Sequence, residues 1–305
     1  MAAGAAAVGA AGGLSDVRVR DALRPVAWLN ALTPRRGLRR VLDLAYGEHP
    51  RQRLDVYMPR RRESQPARAM VVFLYGGSWQ SGARGDYLFV GQALASRGCV
   101  AVVPDYRLYP RAVFPDFVHD AAAAFAWARR HALEYGADPR RLFVMGHSAG
   151  AHIATLLATD ESYLRERGLG RDAIAGVIGL GGAYDFLPLR DPVLQQVFPP
   201  SLRQRSQPVH FVAGEEPPML LAVSGDDRTV DPGNTERMAA RLRAAGSTVR
   251  VLRYRRLGHV LILGSLGVAL RPFVPLLREL CRFIDEHAPA AQPTRCPALP
   301  ARPEG

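Results

Sequence analysis

The segment Gly146-His147-Ser148-Ala149-Gly150 contains a serine in a setting where it could act as a nucleophile. It directly follows the apolar run 142–145 and directly precedes a stretch with the apolar spacing of a helix. A sharp turn between a strand and a helix holds the serine hydroxyl clear of the backbone, and glycines on both sides leave room for that turn. The start of the helix also offers N–H groups and a positive dipole end to an anion. In this context the motif predicts covalent catalysis by Ser148, the alternative being a glycine turn with an incidental serine.

A serine nucleophile needs a general base and an acid that orients the base. With a motif of this kind, these partners follow in the order serine, acid, histidine. Asp226 and Asp227 follow the apolar run 219–224, and His259 follows the run 249–254. Because active sites of open α/β sheets lie at the carboxyl ends of the strands, we expect these side chains to meet there. We predict that His259 is the base and Asp227 the acid, with Asp226 as a competitor for the acid role.

A third requirement is a set of backbone N–H groups aimed at the negative charge that develops on the substrate. The segment Tyr75-Gly76-Gly77-Ser78-Trp79 follows the apolar run 70–74. Two consecutive glycines allow the main chain to approach a substrate closely. We therefore predict an oxyanion hole formed by the N–H groups of Gly77, Ser78 and Ala149. A simple glycine turn is the alternative for this segment.

The elements that must position these residues alternate between apolar runs and segments with helical spacing. Strands are predicted at 54–58 (an edge strand), 70–74, 100–103, 142–145, 174–180, 219–223 and 249–252. Helices are predicted at 86–96, 117–132, from 153 onward, 234–245 and 275–287, and residues 138–140 are predicted to form a turn. This alternation predicts an α/β fold with a mostly parallel central sheet and helices on both faces.

The domain organisation follows from the same pattern. Residues 1–45 are expected to be a flexible leader and an N-terminal cap, 46–287 one catalytic domain, and 288–305 a disordered proline-rich tail. The amphipathic stretch within 21–45 favours a cap helix over a membrane-surface contact. Within the catalytic domain, the polar and proline-bearing segment 185–216 is an insertion, either a lid or a surface excursion.

Composition excludes several classes of protein and of partner. The 305 residues are 48% apolar and 22% charged, which excludes wholesale disorder and a disulfide scaffold. The net charge of +12 comes from 40 basic residues, all arginine, against 28 acidic ones. Because the arginines are scattered and no aromatic-interleaved basic stripe accompanies them, nucleic-acid binding is not predicted.

Sequence patterns also bear on location and cofactors. Cys99, Cys281 and Cys296 are predicted to be free thiols in a reducing compartment. The absence of a secretory pattern and of a long apolar span predicts a cytoplasmic protein without stable membrane insertion. No Cys/His spacing typical of a metal site and no dinucleotide or phosphate loop occurs, so no metal and no organic cofactor are predicted.

These pieces together resemble the α/β-hydrolase superfamily, specifically its H-G-G-G esterases of the hormone-sensitive-lipase-like and carboxylesterase groups. The similar segments span about residues 45–285: Y-G-G-S-W-Q-S-G at 75–82, D-Y-R-L at 105–108, D-P-R-R-L at 138–142, G-H-S-A-G-A-H at 146–152, Y-D at 184–185, G-D-D-R-T-V at 225–230 and G-H at 258–259. Two subgroups look nearest. The kynurenine formamidases carry a similar G-G-x-W-Q-S-G loop and elbow, and the prenylcysteine methylesterases share the segment seen here at 46–59.

The resemblance implies an α/β-hydrolase fold with a cap or lid insertion and a serine carboxylesterase that hydrolyses small carboxylic esters through an acyl-enzyme. Its pattern D-x-x-V-x-P assigns the acid to Asp227. Trp79 and His147 are the expected substrate-binding side chains. An arylformamidase with the same triad is the alternative, and a non-catalytic binding protein of the same fold is less favoured because both the serine and the histidine are present.

One departure concerns the oxyanion loop. The family's first residue there is usually a histidine that braces the loop, and this chain has Tyr75; the third glycine is replaced by Ser78. Since the donors are backbone groups, the oxyanion hole is expected to survive. The family assigns Asp105 and Arg107 to the support of loop geometry.

Overall fold

A computed structural model of the chain describes residues 27–60 and 68–290. Several predicted features lie outside the described residues. They are the leader at 1–20, most of the charged segment after Pro59, the proline-rich tail beyond 290, and Cys296. Within these ranges one sheet is formed by β1 (Leu38–Ala45), β2 (Arg53–Pro59), β3 (Arg68–Leu74), β4 (Val100–Pro104), β5 (Ala137–His147), β6 (Gly176–Leu180), β7 (Met219–Ser224) and β8 (Val249–Tyr254).

The sheet is mostly parallel, as predicted. Its strand order is β1-β2-β4-β3-β5-β6-β7-β8. The pairs β1–β2 and β2–β4 are antiparallel, and all pairs from β4 to β8 are parallel. Because the parallel strands end at one edge, the loops after β3, β5, β7 and β8 meet there, and these loops carry the predicted site.

Two sequence-based expectations about the sheet were wrong, namely an edge strand at 54–58 and a turn at 138–140. The predicted edge strand at 54–58 pairs on both sides, and β1 is the true edge. Strand β1 falls within the predicted N-terminal segment 1–45, and its Arg39 and Arg40 side chains are exposed. The predicted turn at 138–140 is extended backbone within β5, where the Asp138 carboxylate binds the Arg140 guanidinium at 2.7 Å.

The helices are α1 (Leu88–Ala95), α2 (Asp116–His131), α3 (Ala149–Thr159), α4 (Ser162–Arg165), α5 (Pro192–Val197), α6 (Gly233–Ala244), α7 (Gly258–Gly264) and α8 (Leu276–His287). Residues 27–31 add a short helical turn. Strands β4, β6 and β7 are buried at every residue, which requires cover on both faces of the sheet. Helix α8 shows how that cover forms, because its buried residues fall on one face of the helix: Leu276, Leu277, Leu280, Phe283 and Ile284.

The segment 185–216, predicted to be an insertion, packs onto the rest of the fold. It contains α5 and three short 3₁₀ turns. Asp191 caps α5 by accepting hydrogen bonds from the N–H groups of Val193 and Leu194. The Phe114 N–H donates to the carbonyl of Val197, which ties the insertion to the segment before α2.

Candidate active site

Ser148 occupies the turn between β5 and α3. Its backbone angles are φ 55° and ψ −121°, a conformation that costs an L-residue free energy and persists only where the surroundings enforce it. The Ser148 N–H donates to the carbonyl of Leu180 on β6 at 2.9 Å. The serine is thereby fixed at the carboxyl edge of the sheet, between β5 and β6.

The two glycines of the elbow are required by close backbone packing. A Cβ atom on Gly146 would lie 2.2 Å from the carbonyl oxygen of Gly150. A Cβ atom on Gly150 would lie 2.0 Å from the carbonyl oxygen of Leu74. Gly150 therefore lets the first turn of α3 lie directly on the end of β3, where the oxyanion loop begins.

Asp227 and His259 form a direct pair. The Asp227 Oδ2 lies 2.7 Å from the His259 Nδ1, and both side chains are largely buried. The other carboxylate oxygen accepts the N–H groups of Thr229 and Val230. Burial alone would raise the pKa of Asp227, but the hydrogen bonds from His259 and from these N–H groups hold it below its ordinary value. Asp227 is thus an anion that fixes His259 with Nδ1 protonated and Nε2 available.

Asp226 has a different role from its neighbour. Its carboxylate accepts the Ser224 hydroxyl at 2.6 Å and the Gly258 N–H at 2.8 Å. The Ser224 hydroxyl oxygen also accepts the N–H groups of Leu257 and Gly258. These contacts join the end of β7 to the start of α7 and hold the loop that carries His259.

His147 connects the elbow to the base. It is buried, and its Nε2–H donates to the backbone carbonyl of His259 at 2.9 Å. The two imidazole rings lie 4.8 Å apart between centroids. Burial, with a smaller contribution from the nearby His259, lowers the pKa of His147 to about 3, so this imidazole is neutral.

The loop after β3 presents backbone donors to the same place. Gly77 has φ 128°, and Ser78 and Trp79 have φ 53° and 60°. Among the described residues, the N–H groups of Gly77, Ser78 and Ala149 donate to no protein atom. A Cβ atom on Gly76 would lie 2.9 Å from the Ser148 Cβ, which shows how closely this loop approaches the elbow.

Tyr75 braces this loop in place of the expected histidine. Its hydroxyl donates to Asp105 at 2.7 Å and accepts from the Arg51 guanidinium at 2.8 Å. Its ring stacks between Tyr87 and Tyr106 at centroid distances of 5.1 and 4.8 Å. Asp105 also binds Arg84, so a buried network of aromatic rings and charges fixes the start of the oxyanion loop.

An aromatic wall lies behind the loop after β3. Trp79 is the one side chain of this wall that was predicted from the sequence to bind substrate. Trp79 contacts Phe186, Phe198 and His152 at centroid distances of 5.9, 4.8 and 5.2 Å. The His152 Nε2–H donates to the Ser206 carbonyl at 2.7 Å, and burial lowers the pKa of His152 to about 4. The wall is therefore built by the oxyanion loop, α3 and the insertion. The aromatic residues of the insertion were the available signal for it.

The structure thus brings the predicted residues to one edge of the sheet. Asp227 and His259 are in hydrogen-bond contact, and His147 joins them to the elbow. Within the described ranges no hydrogen bond links the Ser148 hydroxyl to His259, an arrangement common before substrate binds. Among the residues that the structure describes, no three His, Cys, Asp or Glu side chains are grouped so that they could hold a metal ion. No helix in the described ranges combines the length and apolarity that crossing a bilayer demands.

Comparison with known proteins points in one direction. The model of the BD-FAE family matches residues 54–242. A probable isoprenylcysteine alpha-carbonyl methylesterase of Arabidopsis thaliana is 30% identical, over 71% of this chain and 50% of its own length. The esterase LipC of Mycobacterium tuberculosis is 31% identical, over 72% of this chain and 59% of its own length. The chain therefore spans half to six-tenths of the length of these two relatives.

Solved structures agree on the fold. Esterase B of Lactobacillus rhamnosis superposes with a TM-score of 0.76 at 20% identity, covering 89% of this chain and 94% of that one. Esterase 2 of Thermogutta terrifontis gives a TM-score of 0.68 at 23% identity, covering 83% and 96%. At these identities the likeness establishes the architecture.

Proposed function

This chain belongs to the BD-FAE family of α/β hydrolases, and from that premise we propose that it is a serine carboxylesterase acting on small carboxylic esters. The observation that carries the proposal is the hydrogen-bonded Asp227–His259 pair at the edge of the sheet where Ser148 is held in a strained elbow. The curated relatives named above are called esterases, which supports the same class of reaction.

The proposed reaction uses the residues in three roles. Ser148 Oγ attacks the ester carbonyl carbon while His259 Nε2 takes the hydroxyl proton, and His259 then gives that proton to the departing alkoxide. The alcohol leaves and an acyl-serine ester remains. Water then attacks this ester while His259 Nε2 takes one of its protons. As the tetrahedral intermediate collapses, protonated His259 gives this proton to the departing Ser148 Oγ, and the carboxylic acid is released. Asp227 keeps the imidazole in the required tautomer and stabilises its protonated form.

The oxyanion of each tetrahedral intermediate needs donors that are already in place. The N–H groups of Gly77, Ser78 and Ala149 are the candidates, because they lie around the elbow and have no acceptor among the described residues. Two of them belong to a loop that Tyr75 anchors to Asp105, so the donors need little rearrangement during the reaction.

The packing of the aromatic wall favours substrates with a short acyl group. Trp79 is only 4% exposed and Phe198 is fully buried, and both contact His152 one helical turn after the nucleophile. These rings pack against one another, so a long acyl chain directed at them would have to displace packed side chains. We therefore expect acetate esters to be better substrates than esters of longer acids.

The first experiment compares the wild type with Ser148→Ala on p-nitrophenyl acetate and butyrate. Ser201→Ala is the matched control, because Ser201 is an exposed serine in a short turn of the insertion. We expect turnover by the wild type and the control, and a loss of at least about 10⁴-fold in Ser148→Ala. Turnover that persists in Ser148→Ala would overturn the assignment of the nucleophile.

An N-formyl aryl amine assayed beside the esters separates the two hydrolase hypotheses. Both reactions would use the same triad, so the ratio of kcat/KM values decides between them. Faster hydrolysis of the formamide than of both esters would replace the esterase proposal with an arylformamidase and leave the triad intact.

A further inference from the structure

A surface beside the site carries large apolar side chains that the fold leaves in water. Four of them, the apolar patch, lie in two segments that contact each other: Trp28 is 70% exposed, Leu32 59%, Leu261 47% and Phe273 81%. Trp28 and Leu32 are four residues apart across the helical turn at 27–31, so they point to the same side. Scattered apolar residues are ordinary on a surface, but a group of this size marks a place of interaction.

Contacts of Leu29 show that the two segments are neighbours. Leu29 lies against the backbone of Gly264 and Gly267, because Cβ atoms there would be 3.5 and 2.5 Å from its methyl groups. The Leu261 side chain reaches the same point at Gly264, at 3.6 Å. From Gly267 the chain turns compactly to Phe273, through hydrogen bonds from the N–H groups of Leu270 and Phe273. The helical turn therefore covers the protein with Leu29 and presents Trp28 and Leu32 outward.

The charge of these segments is of one sign. Residues 27–42 contain four arginines and residues 257–278 contain two, and neither segment contains an aspartate or a glutamate. Arg35 and Arg36 are exposed and follow Leu32 by three and four residues. Arg271 binds the uncharged Gln92, so no carboxylate neutralises it there. Arg278 pairs with Glu279 at 3.7 Å, whereas Arg35, Arg36 and Arg271 form no ion pair with a described residue. Aromatic and aliphatic side chains beside such arginines match the interface of an anionic bilayer, where apolar groups enter the headgroup layer and cations meet lipid phosphates.

The patch adjoins the catalytic machinery. Leu261 lies on α7 two residues after His259, and the Gly258 N–H at the start of the same helix binds Asp226. A surface that engages Leu261 therefore lies next to the base of the site.

We propose that the apolar patch binds the surface of a bilayer that contains anionic lipids and holds the active site close to that surface. The binding is peripheral: Trp28, Leu32, Leu261 and Phe273 enter the interface, and the arginines of 27–42 together with Arg271 supply the attraction. The proposal concerns binding and stands whether or not the chain is an esterase.

Intrinsic fluorescence gives a direct test with the full chain. The chain has three tryptophans, and Trp79 and Trp127 are only 4% and 7% exposed, so Trp28 is the one that reports a change at the surface. Vesicles of phosphatidylcholine with phosphatidylglycerol should shift its emission to the blue, and vesicles of phosphatidylcholine alone should shift it far less. Raising the salt to about 0.5 M should weaken the anionic binding by about tenfold or more, because it screens the charges.

Variants localise the binding in vesicle flotation. Leu32→Glu combined with Leu261→Glu should abolish co-flotation. Leu133→Glu is the matched control, since Leu133 is 64% exposed but lies just before β5, at the end of the sheet opposite Ser148. Arg35→Glu with Arg36→Glu should weaken binding by at least about tenfold, and Arg165→Glu with Arg167→Glu should weaken it clearly less, although the net charge changes equally.

Three results would overturn the proposal. Equal binding to neutral and anionic vesicles would remove the role of the arginines. A patch-dependent dimer in light scattering, without vesicle binding, would assign the surface to a second copy of the chain. Trp28 emission that is already blue in buffer and unmoved by vesicles would show that another segment of this chain covers the patch.

Discussion

Ser148, the proposed nucleophile, and Asp227 and His259, its proposed acid–base partners, are held in place by different physical means. The elbow around Ser148 is held by backbone clearance, because Gly146 and Gly150 sit at positions where any side chain would collide with main-chain atoms. The loops that carry Asp227 and His259 are held by side-chain hydrogen bonds, from Asp226, Ser224 and His147. The first arrangement tolerates no substitution at its glycines, whereas the second can weaken one bond at a time. Substitutions in the elbow should therefore cause an abrupt loss of stability or activity. Substitutions in the segments that hold Asp227 and His259 should cause graded losses, except at Asp227 itself.

The largest effect is expected at that exception. Asp227→Asn cannot hold His259 in the tautomer that accepts the serine proton, so kcat should fall by roughly 10⁴-fold. Asp226→Asn is the adjacent control. It keeps an acceptor for the Gly258 N–H and should lower kcat by less than about tenfold, the worth of one hydrogen bond. Steady-state kinetics on p-nitrophenyl acetate measures kcat for both variants. Equal losses of kcat would refute the division of roles between Asp226 and Asp227.

The next largest effect tests whether backbone clearance holds the elbow around Ser148. Gly150→Ala would place a methyl group 2.0 Å from the Leu74 carbonyl oxygen, so β3 and α3 would have to separate. We expect the free energy of unfolding to fall by about 3 kcal/mol or more. Gly85→Ala is the control, because no atom lies within 4 Å of a Cβ there. Urea denaturation measures both, and a Gly150→Ala protein as stable as the control would show that clearance is not what holds the elbow.

A third prediction concerns pH and the buried His152 of the nucleophile's helix. Its pKa is about 4 in the folded protein and near 6.5 when exposed, so the unfolded chain binds a proton first as the pH falls. Its stabilising contribution is full above about pH 6.5 and is lost as the pH falls toward 4. Between pH 7 and 5 this costs about 2 kcal/mol. His152→Leu should remove that much of the pH dependence of the free energy of unfolding, measured by urea denaturation at pH 7 and pH 5. His210→Leu, at an exposed histidine, is the control variant.

The same contrast explains what could be predicted from the sequence. The elbow was recognisable because its clearance requires glycines at fixed places, and the buried strands were recognisable as uninterrupted apolar runs. The α/β-hydrolase resemblance is confirmed by the match to the BD-FAE family. The loops that hold the base depend on contacts such as Ser224 to Leu257, between residues 33 positions apart, which no local pattern shows.

Other features could not be predicted from the sequence, because they also depend on contacts between distant segments. Strand β1 has the arginines of a surface segment and gains its place only by pairing with β2. The aromatic wall joins Trp79 to Phe198, an aromatic residue of a polar, proline-rich insertion, and the contact itself depends on how the insertion packs in three dimensions. The sequence shows Tyr75 in place of the family's usual histidine. Its hydrogen bond to Asp105 could not be inferred, because it depends on where two loops meet in space.

The smallest predicted effect lies at His147, the side chain that joins the two halves of the site. Its Nε2–H fixes the carbonyl of His259, and its pKa of about 3 means that it takes no proton during turnover near neutral pH. His147→Phe should lower kcat by roughly tenfold with little change in KM, because the base loses one hydrogen bond that positions it. His147→Gln offers an N–H donor again and should recover most of kcat. A substrate-binding role, as the sequence suggested, would instead raise KM in both variants, so the division between kcat and KM shows whether His147 serves the base or the substrate.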